Sequence, residues 1–215
     1  MKKHILCFGD SNTHGYCADP SDTETGSNRF SESERWTCLL QQALGQDYYV
    51  IEEGLGGRTT VFDDPLHECM AGIDVIYSCL NSHEPIDLMI LMLGTNDCKE
   101  RFHANPAVIA AGLERLICKA KSVPNVWAGN EAKILVVCPP RMREGFHDEN
   151  MGPCCIEKSA QLAPRFAAVA AANGCAFLDA EEVAEFNPVD FTHLTRKGHA
   201  ALAAKLAELV PELAR

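Results

Sequence analysis

Five short, almost uninterrupted apolar runs punctuate the chain, at residues 4–9, 49–53, 88–93, 134–138 and 176–178. Each has the length of a strand, and continuous rather than alternating apolarity predicts strands covered on both faces. Helical spacing fills the intervals. Residues 36–44 put Trp36, Leu39, Leu40 and Leu44 on one side. Pro106 opens a segment through Val108, Ile109, Leu113, Leu116 and Ile117, proline being favoured in a first turn. The Ala-rich stretch 156–173 ends at Gly174, a helix stop signal, and Pro164 predicts a kink inside it. Residues 195–213 close the pattern with Leu202, Leu206, Leu209 and Leu213.

Strands alternating with helices predict a parallel sheet with helices on both faces, a three-layer α/β/α arrangement. Sites in such sheets lie beyond the carboxyl ends of the strands. No repeat, low-complexity tract or linker divides the chain, so residues 1–215 read as one α/β domain. Two stretches, 16–34 and 139–153, lack periodicity and follow strand ends. Loops of that length in a small domain are usually functional or disordered, and both are predicted to border the site entrance.

Composition narrows the classes. Hydrophobic residues at 47% and charged residues at 23% are ordinary for a globular protein. A net charge of −11 disfavours nucleic acid and anionic membrane surfaces, which need a basic face. No run approaches the roughly 18 apolar residues of a membrane span, and no signal-peptide pattern follows Met1. The expected location is the cytoplasm. Eleven cysteines first suggest a disulfide scaffold, but their number is odd, no CxxC occurs, and most are scattered among predicted strands and helices. Cys7, Cys38, Cys79, Cys118, Cys138 and Cys175 therefore read as small buried hydrophobes, while Cys154-Cys155 falls in a predicted loop.

Candidate chemistry falls where strands end. The first strand ends in Gly9-Asp10-Ser11-Asn12, the second in Glu53-Gly54-Leu55-Gly56-Gly57-Arg58-Thr59, and the third in Gly94-Thr95-Asn96-Asp97. A buried parallel sheet would bring these turns to one rim. Serine is a weak nucleophile until a base takes its proton, and the base needs a partner that fixes its tautomer. Near the other end of the chain, Asp190 and His193 are spaced to share one side of a tight turn; the rival base His199 falls inside the last predicted helix and reads as a surface or packing residue. Ser11 alone would read as a helix N-cap; together with Asp190 and His193 it reads as a nucleophile. Backbone N–H groups of Ser11 and Gly57 and the amide of Asn96 are candidate donors for an oxyanion hole. Asp10, Asn12 and Arg58 are candidates for substrate contact, with turn organisation or a salt bridge as the alternatives. Asp97 reads as a cap that steadies the Asn96 turn. His147, Arg141 and Arg143 read as an exposed loop or as further substrate contacts. The eight histidines show no HExxH or paired carboxylate spacing, so no metal site is predicted. The glycine patterns match neither a dinucleotide fingerprint nor a phosphate loop.

Gly9-Asp10-Ser11-Asn12, the block around Gly57, Gly94-Thr95-Asn96-Asp97 and Asp190-Phe191-Thr192-His193 together resemble the four blocks of the SGNH (GDSL-type) hydrolase family, in family order across nearly the whole chain. Arg35-Trp36-Thr37, Ile51-Glu52-Glu53-Gly54-Leu55, Arg58-Thr59-Thr60 with Asp63-Asp64-Pro65, and Met92 through Asp97 are similar to its arylesterase/acyltransferase branch. The resemblance implies a flavodoxin-like five-stranded parallel sheet in order 2-1-3-4-5, no metal or other cofactor, and an acyl-Ser11 intermediate. It leaves a homo-oligomer open. Asn12 stands where many members carry leucine, and Thr13-His14-Gly15-Tyr16 lacks the tryptophans of the acyltransferase members. The expected function is a serine esterase acting on small or short-chain acyl esters, with acyl transfer to an alcohol as a variant of the same cycle. Deacetylation of carbohydrates is the alternative substrate class. A non-catalytic small-molecule-binding module on the same scaffold is the rival from another class.

Overall fold

The structure, a computed structural model, describes residues 2–215. Five parallel strands, β1 (Lys3–Gly9), β2 (Tyr48–Gly54), β3 (Leu88–Met92), β4 (Ile134–Cys138) and β5 (Ala176–Asp179), form one sheet in the order β2-β1-β3-β4-β5. The predicted strands are all present, and the implied order holds. Every residue of β3 and β4 is buried, as their unbroken apolar runs require, whereas the edge strands β2 and β5 keep partly exposed positions.

Among the described residues seven α-helices surround the sheet: α1 (Ser11–His14), α2 (Trp36–Leu44), α3 (Gly72–Ser82), α4 (Pro106–Lys121), α5 (Cys155–Ser159), α6 (Leu162–Ala172) and α7 (Arg196–Leu213). α2 packs with α7, and α4 packs with both α3 and α6. The stretch predicted as one kinked helix over 156–173 is instead two helices, α5 and α6. Pro164 lies in the first turn of α6, where a missing N–H breaks no hydrogen bond, so the interruption falls before it at residues 160–161. Helix α3 follows a long irregular stretch and its N-cap residue, Ala71, makes no side-chain cap. Its start therefore carries no local signal.

All eleven cysteines are free. Cys7, Cys79 and Cys138 are buried, in keeping with their reading as small hydrophobes, and Cys38 and Cys175 are half-buried; Cys17, Cys98 and Cys155 are buried as well. Cys118 departs from that reading, lying exposed on α4. Among the described residues no helix is long and apolar enough to cross a membrane.

His199 belongs to this frame and not to the site. It is fully buried, packs its ring 4.7 Å from that of Phe30, and its Nδ1 accepts from the backbone N–H of Trp36 at 3.2 Å. The residue preceding α2, Arg35, offers no side-chain cap. An imidazole from α7 thus serves one of the orphan N–H groups at the start of α2. Burial pushes His199 down to about 3. The unfolded chain would bind a proton at an ordinary histidine value of about 6.5, which the native state refuses. The stability that depends on this neutral ring is complete above that value and is lost as pH falls toward 3. The His199→Asn variant, which keeps an acceptor for Trp36, is expected to show a flatter fall of the urea midpoint between pH 6.5 and 4 than the parent protein. Parallel curves would refute this assignment.

Candidate active site

β1 delivers its carboxyl end to the rim between its neighbours β2 and β3. Asp10 stops the strand and caps α1, its Oδ1 accepting from Asn12 N–H at 2.9 Å. α1 lasts one turn and is closed by Gly15, at φ 85°. The end of β2 lies hard against it. A Cβ on Gly54 would come 2.2 Å from the His14 nitrogen.

At the far end of the chain, residues 187–193 form a loop built around Asn187. Its Oδ1 accepts from Val189 N–H (2.9 Å) and Asp190 N–H (3.0 Å), while its Nδ2 donates to His193 C=O (2.7 Å) and Asp190 Oδ1 (3.1 Å). Asp190 Oδ1 also accepts from the N–H groups of Thr192 (3.0 Å) and His193 (3.1 Å). Asp190 Oδ2 is left for the imidazole: His193 Nδ1 donates to it at 2.6 Å, and His193 Nε2 faces Ser11 Oγ at 2.9 Å. Burial pushes the Asp190 carboxyl up, but the His193 hydrogen bond and charge, with the Thr192 and His193 N–H groups, more than offset it. The carboxyl sits below the ordinary aspartate value. The Tyr16 ring lies 4.5 Å from the His193 ring, centroid to centroid. Asn187 was not visible in the sequence as a site residue, although an Asn before Pro is a turn signal in its own right.

Gly57 and Asn96 line the same cavity as Ser11. Gly57 takes φ 89°, a left-handed conformation that favours glycine. Among the described residues, the N–H groups of Ser11 and Gly57 have no protein acceptor, which leaves both available to a ligand oxygen. Asn96 Nδ2 donates to Asp10 Oδ2 at 3.4 Å, leaving its second hydrogen unused. Asp97 ties this turn to the loop after β2, accepting from Thr60 N–H at 3.0 and 3.2 Å. Burial pushes both Asp10 and Asp97 up to about 6.

Ser11, Gly57, Asn96, Asp190 and His193 all line one cavity of 510 Å³. Asp10, Asn12 and Arg58 do not, and their reading as substrate contacts is corrected by what they touch. Asp10 and Asn12 are 1% exposed and Arg58 6%. Arg58 donates to the carbonyls of Gly9 (3.0 Å) and Glu53, and stacks 4.3 Å over the Phe8 ring. Asn12 bonds the backbone on either side of His193. All three are taken up by protein groups: Asp10 by Asn12 N–H and the Asn96 amide, Asn12 by Thr192 C=O and Leu194 N–H, and Arg58 by carbonyls at the strand ends.

His67, Lys99, Arg101 and His147 also line the cavity, together with the apolar Leu66 and Met151. Lys99 and Arg101 share the wholly buried Asp64 carboxylate, at 2.9 and 3.0 Å. Both long loops border the opening, through Tyr16 and through His147 to Met151. Arg141 and Arg143 turn away and pair with Glu181 at 2.8 and 2.9 Å. Outside the cavity, Glu53, Cys79 and His83 bring potential ligand atoms within 4.8 Å of one another. His83 Nε2 there pairs with Glu53 Oε1 at 2.8 Å, which accounts for both groups without an ion.

Comparison with known proteins gives the family and the fold. Residues 7–201 match the GDSL-like lipase/acylhydrolase family. The aryl esterase of M. smegmatis is 37% identical, with 98% of this chain and 99% of that one aligned at a TM-score of 0.88. A carbohydrate acetylesterase family member from Sinorhizobium meliloti is 36% identical over 99% of both chains, TM-score 0.89. A member of the lipolytic G-D-S-L family from Veillonella parvula shares the fold at 18% identity, covering 98% of this chain and 100% of its own, TM-score 0.69. Comparison with curated proteins returns no match.

The contact between β2 and α1 gives a test of how the nucleophile turn is held. Because a Cβ at Gly54 meets backbone atoms of α1 and no flexible side chain, Gly54→Ala is expected to cost about 1–3 kcal/mol, read from the urea midpoint. An unchanged midpoint would mean that α1 is not held by this contact.

Proposed function

We propose that this chain, which belongs to the GDSL-like lipase/acylhydrolase family, hydrolyses small or short-chain acyl esters through an acyl-Ser11 intermediate. Membership makes it a carboxylic ester hydrolase. The observation that carries it is the continuous line from Asp190 Oδ2 through the His193 ring to Ser11 Oγ, at 2.6 and 2.9 Å, on the wall of a cavity.

Ser11 Oγ attacks the ester carbonyl carbon while His193 Nε2 takes the hydroxyl proton. Asp190 accepts from Nδ1, which keeps Nε2 free to act as base and steadies the imidazolium that forms. The carbonyl oxygen gains negative charge and is met by the N–H groups of Ser11 and Gly57 and by the free hydrogen of Asn96 Nδ2. Collapse breaks the ester C–O bond, and the imidazolium returns its proton to the departing alkoxide. Water then repeats the cycle on the acyl-serine, releasing the acid. An alcohol in place of water gives acyl transfer by the same steps.

A second reading, removal of acetyl groups from carbohydrates, is favoured by His67 and His147 on the cavity lining, which offer hydrogen bonds to a hydroxyl-rich leaving group. The free cysteines support a reducing compartment and hence the cytoplasm.

Ser11→Ala and His193→Ala are each expected to abolish hydrolysis of p-nitrophenyl acetate; rates equal to the parent would overturn the assignment. Asn96→Ala is expected to lower kcat about 10²–10³-fold with KM little changed, and an unaltered kcat would remove it from the oxyanion hole. A panel of p-nitrophenyl esters from acetate to octanoate, run beside acetylated sugars, separates the two substrate readings: a rate that falls with chain length supports short acyl esters, and a preference for the sugars supports the second.

A further inference from the structure

The two halves of the proposed apparatus come from opposite ends of the chain, 182 positions apart. Something must fix the distance between their backbones. The bonds inside the 187–193 loop, from Asn187 and Asp190, set the shape of that loop and the angle of the His193 ring. They say nothing about where the loop docks on α1, because both partners of each bond belong to the loop.

Asn12 supplies that missing restraint. Its Nδ2 donates to Thr192 C=O at 3.1 Å, and its Oδ1 accepts from Leu194 N–H at 2.9 Å. These two backbone groups lie immediately before and after His193. The side-chain amide therefore pairs with the loop much as a neighbouring strand would, gripping a C=O and an N–H at once. The main chain of Asn12 is itself fixed on both sides: its N–H donates to Asp10 Oδ1 at 2.9 Å, and its C=O accepts from Trp36 Nε1 at 3.0 Å. With 1% of its surface exposed, Asn12 touches no substrate space, and the next residue toward the N-terminus is Ser11.

We infer that Asn12 is a positioning residue that docks the His193 loop onto the nucleophile turn and so holds Ser11 Oγ within hydrogen-bond reach of Nε2. The inference rests on the function proposed above. Acid–base and nucleophilic steps depend steeply on this kind of alignment, and a misplacement of about 1 Å is enough to cost about 10²-fold in rate. Substrate binding uses other groups, so the loss belongs to kcat and not to KM.

The test is a comparison of Asn12→Leu, close in volume but unable to make either bond, and Asn12→Ala with the parent and with Ser11→Ala. Each is followed by far-UV circular dichroism, by kcat and KM for p-nitrophenyl acetate, and by the rate at which a small fluorophosphonate labels Ser11. Folded Asn12 variants are expected to lose about 10- to 100-fold in kcat and a similar factor in labelling rate, with KM within about twofold of the parent. If Asn12→Leu does not fold, Asn12→Ala carries the comparison. Folded variants with kcat and labelling near parental values, or a loss confined to KM, overturn the inference. So does failure of both variants to fold, which would make Asn12 part of the core. Ser11→Ala separates the two levels: full activity in that variant defeats the proposed function, whereas an inactive Ser11→Ala beside unaffected Asn12 variants defeats only the role of Asn12.

Discussion

Where parallel strands buried on both faces come to an end, their last backbone N–H and C=O groups are out of reach of water and need partners within the protein. Around Ser11 side chains meet that need. Asp10 accepts from Asn12 N–H, Arg58 donates to the carbonyls of Gly9 and Glu53, and Asp97 accepts from Thr60 N–H. Asn187 does the same within the His193 loop, and Asn12 does it between that loop and α1. The polar residues at the strand ends are thus divided between two duties. A few face the cavity, and the larger number hold the backbone that presents them.

That division explains what could be read from the sequence. The sheet was legible because both-face burial leaves an unbroken apolar run, and β1, β3 and β4 are such runs. Ser11, Gly57, Asn96, Asp190 and His193 were legible because their residue types and their places after strands coincide with what acyl transfer needs. Asp10, Asn12 and Arg58 have equally suggestive types and places, but the direction in which a side chain points depends on partners far away in sequence. Asn12 finds its own 180 and 182 residues on. The same blindness hid the partner of His199, since Trp36 N–H lies 163 residues away from its Nδ1. Helix α3 and the break between α5 and α6 escaped for a local reason, since neither start is marked by a capping side chain.

The electrostatics of this buried rim are not arranged for greatest stability at one pH. Burial raises Asp10 and Asp97 to about 6, and the charge of Asp10 adds to the rise at Asp97. A carboxyl raised in the native state favours folding most when it is protonated, below its unfolded value, and that contribution fades as pH climbs through 6. His199 works in the opposite sense. Asp64 is the contrast: equally buried, it has two cations on it and lies below the ordinary value in spite of burial. The carboxylates beside the nucleophile lack such full compensation, and sites that hold unfavourable charge in place for chemistry commonly give up stability to do so.

The 182-residue separation of Ser11 from His193 also sets a schedule. A ribosome adding about 5–20 residues per second makes the serine roughly ten to forty seconds before the imidazole. Through that interval the growing chain carries a hydroxyl with no base beside it. It is chemically silent toward the esters around it until the last strand and the loop beyond have been made and docked.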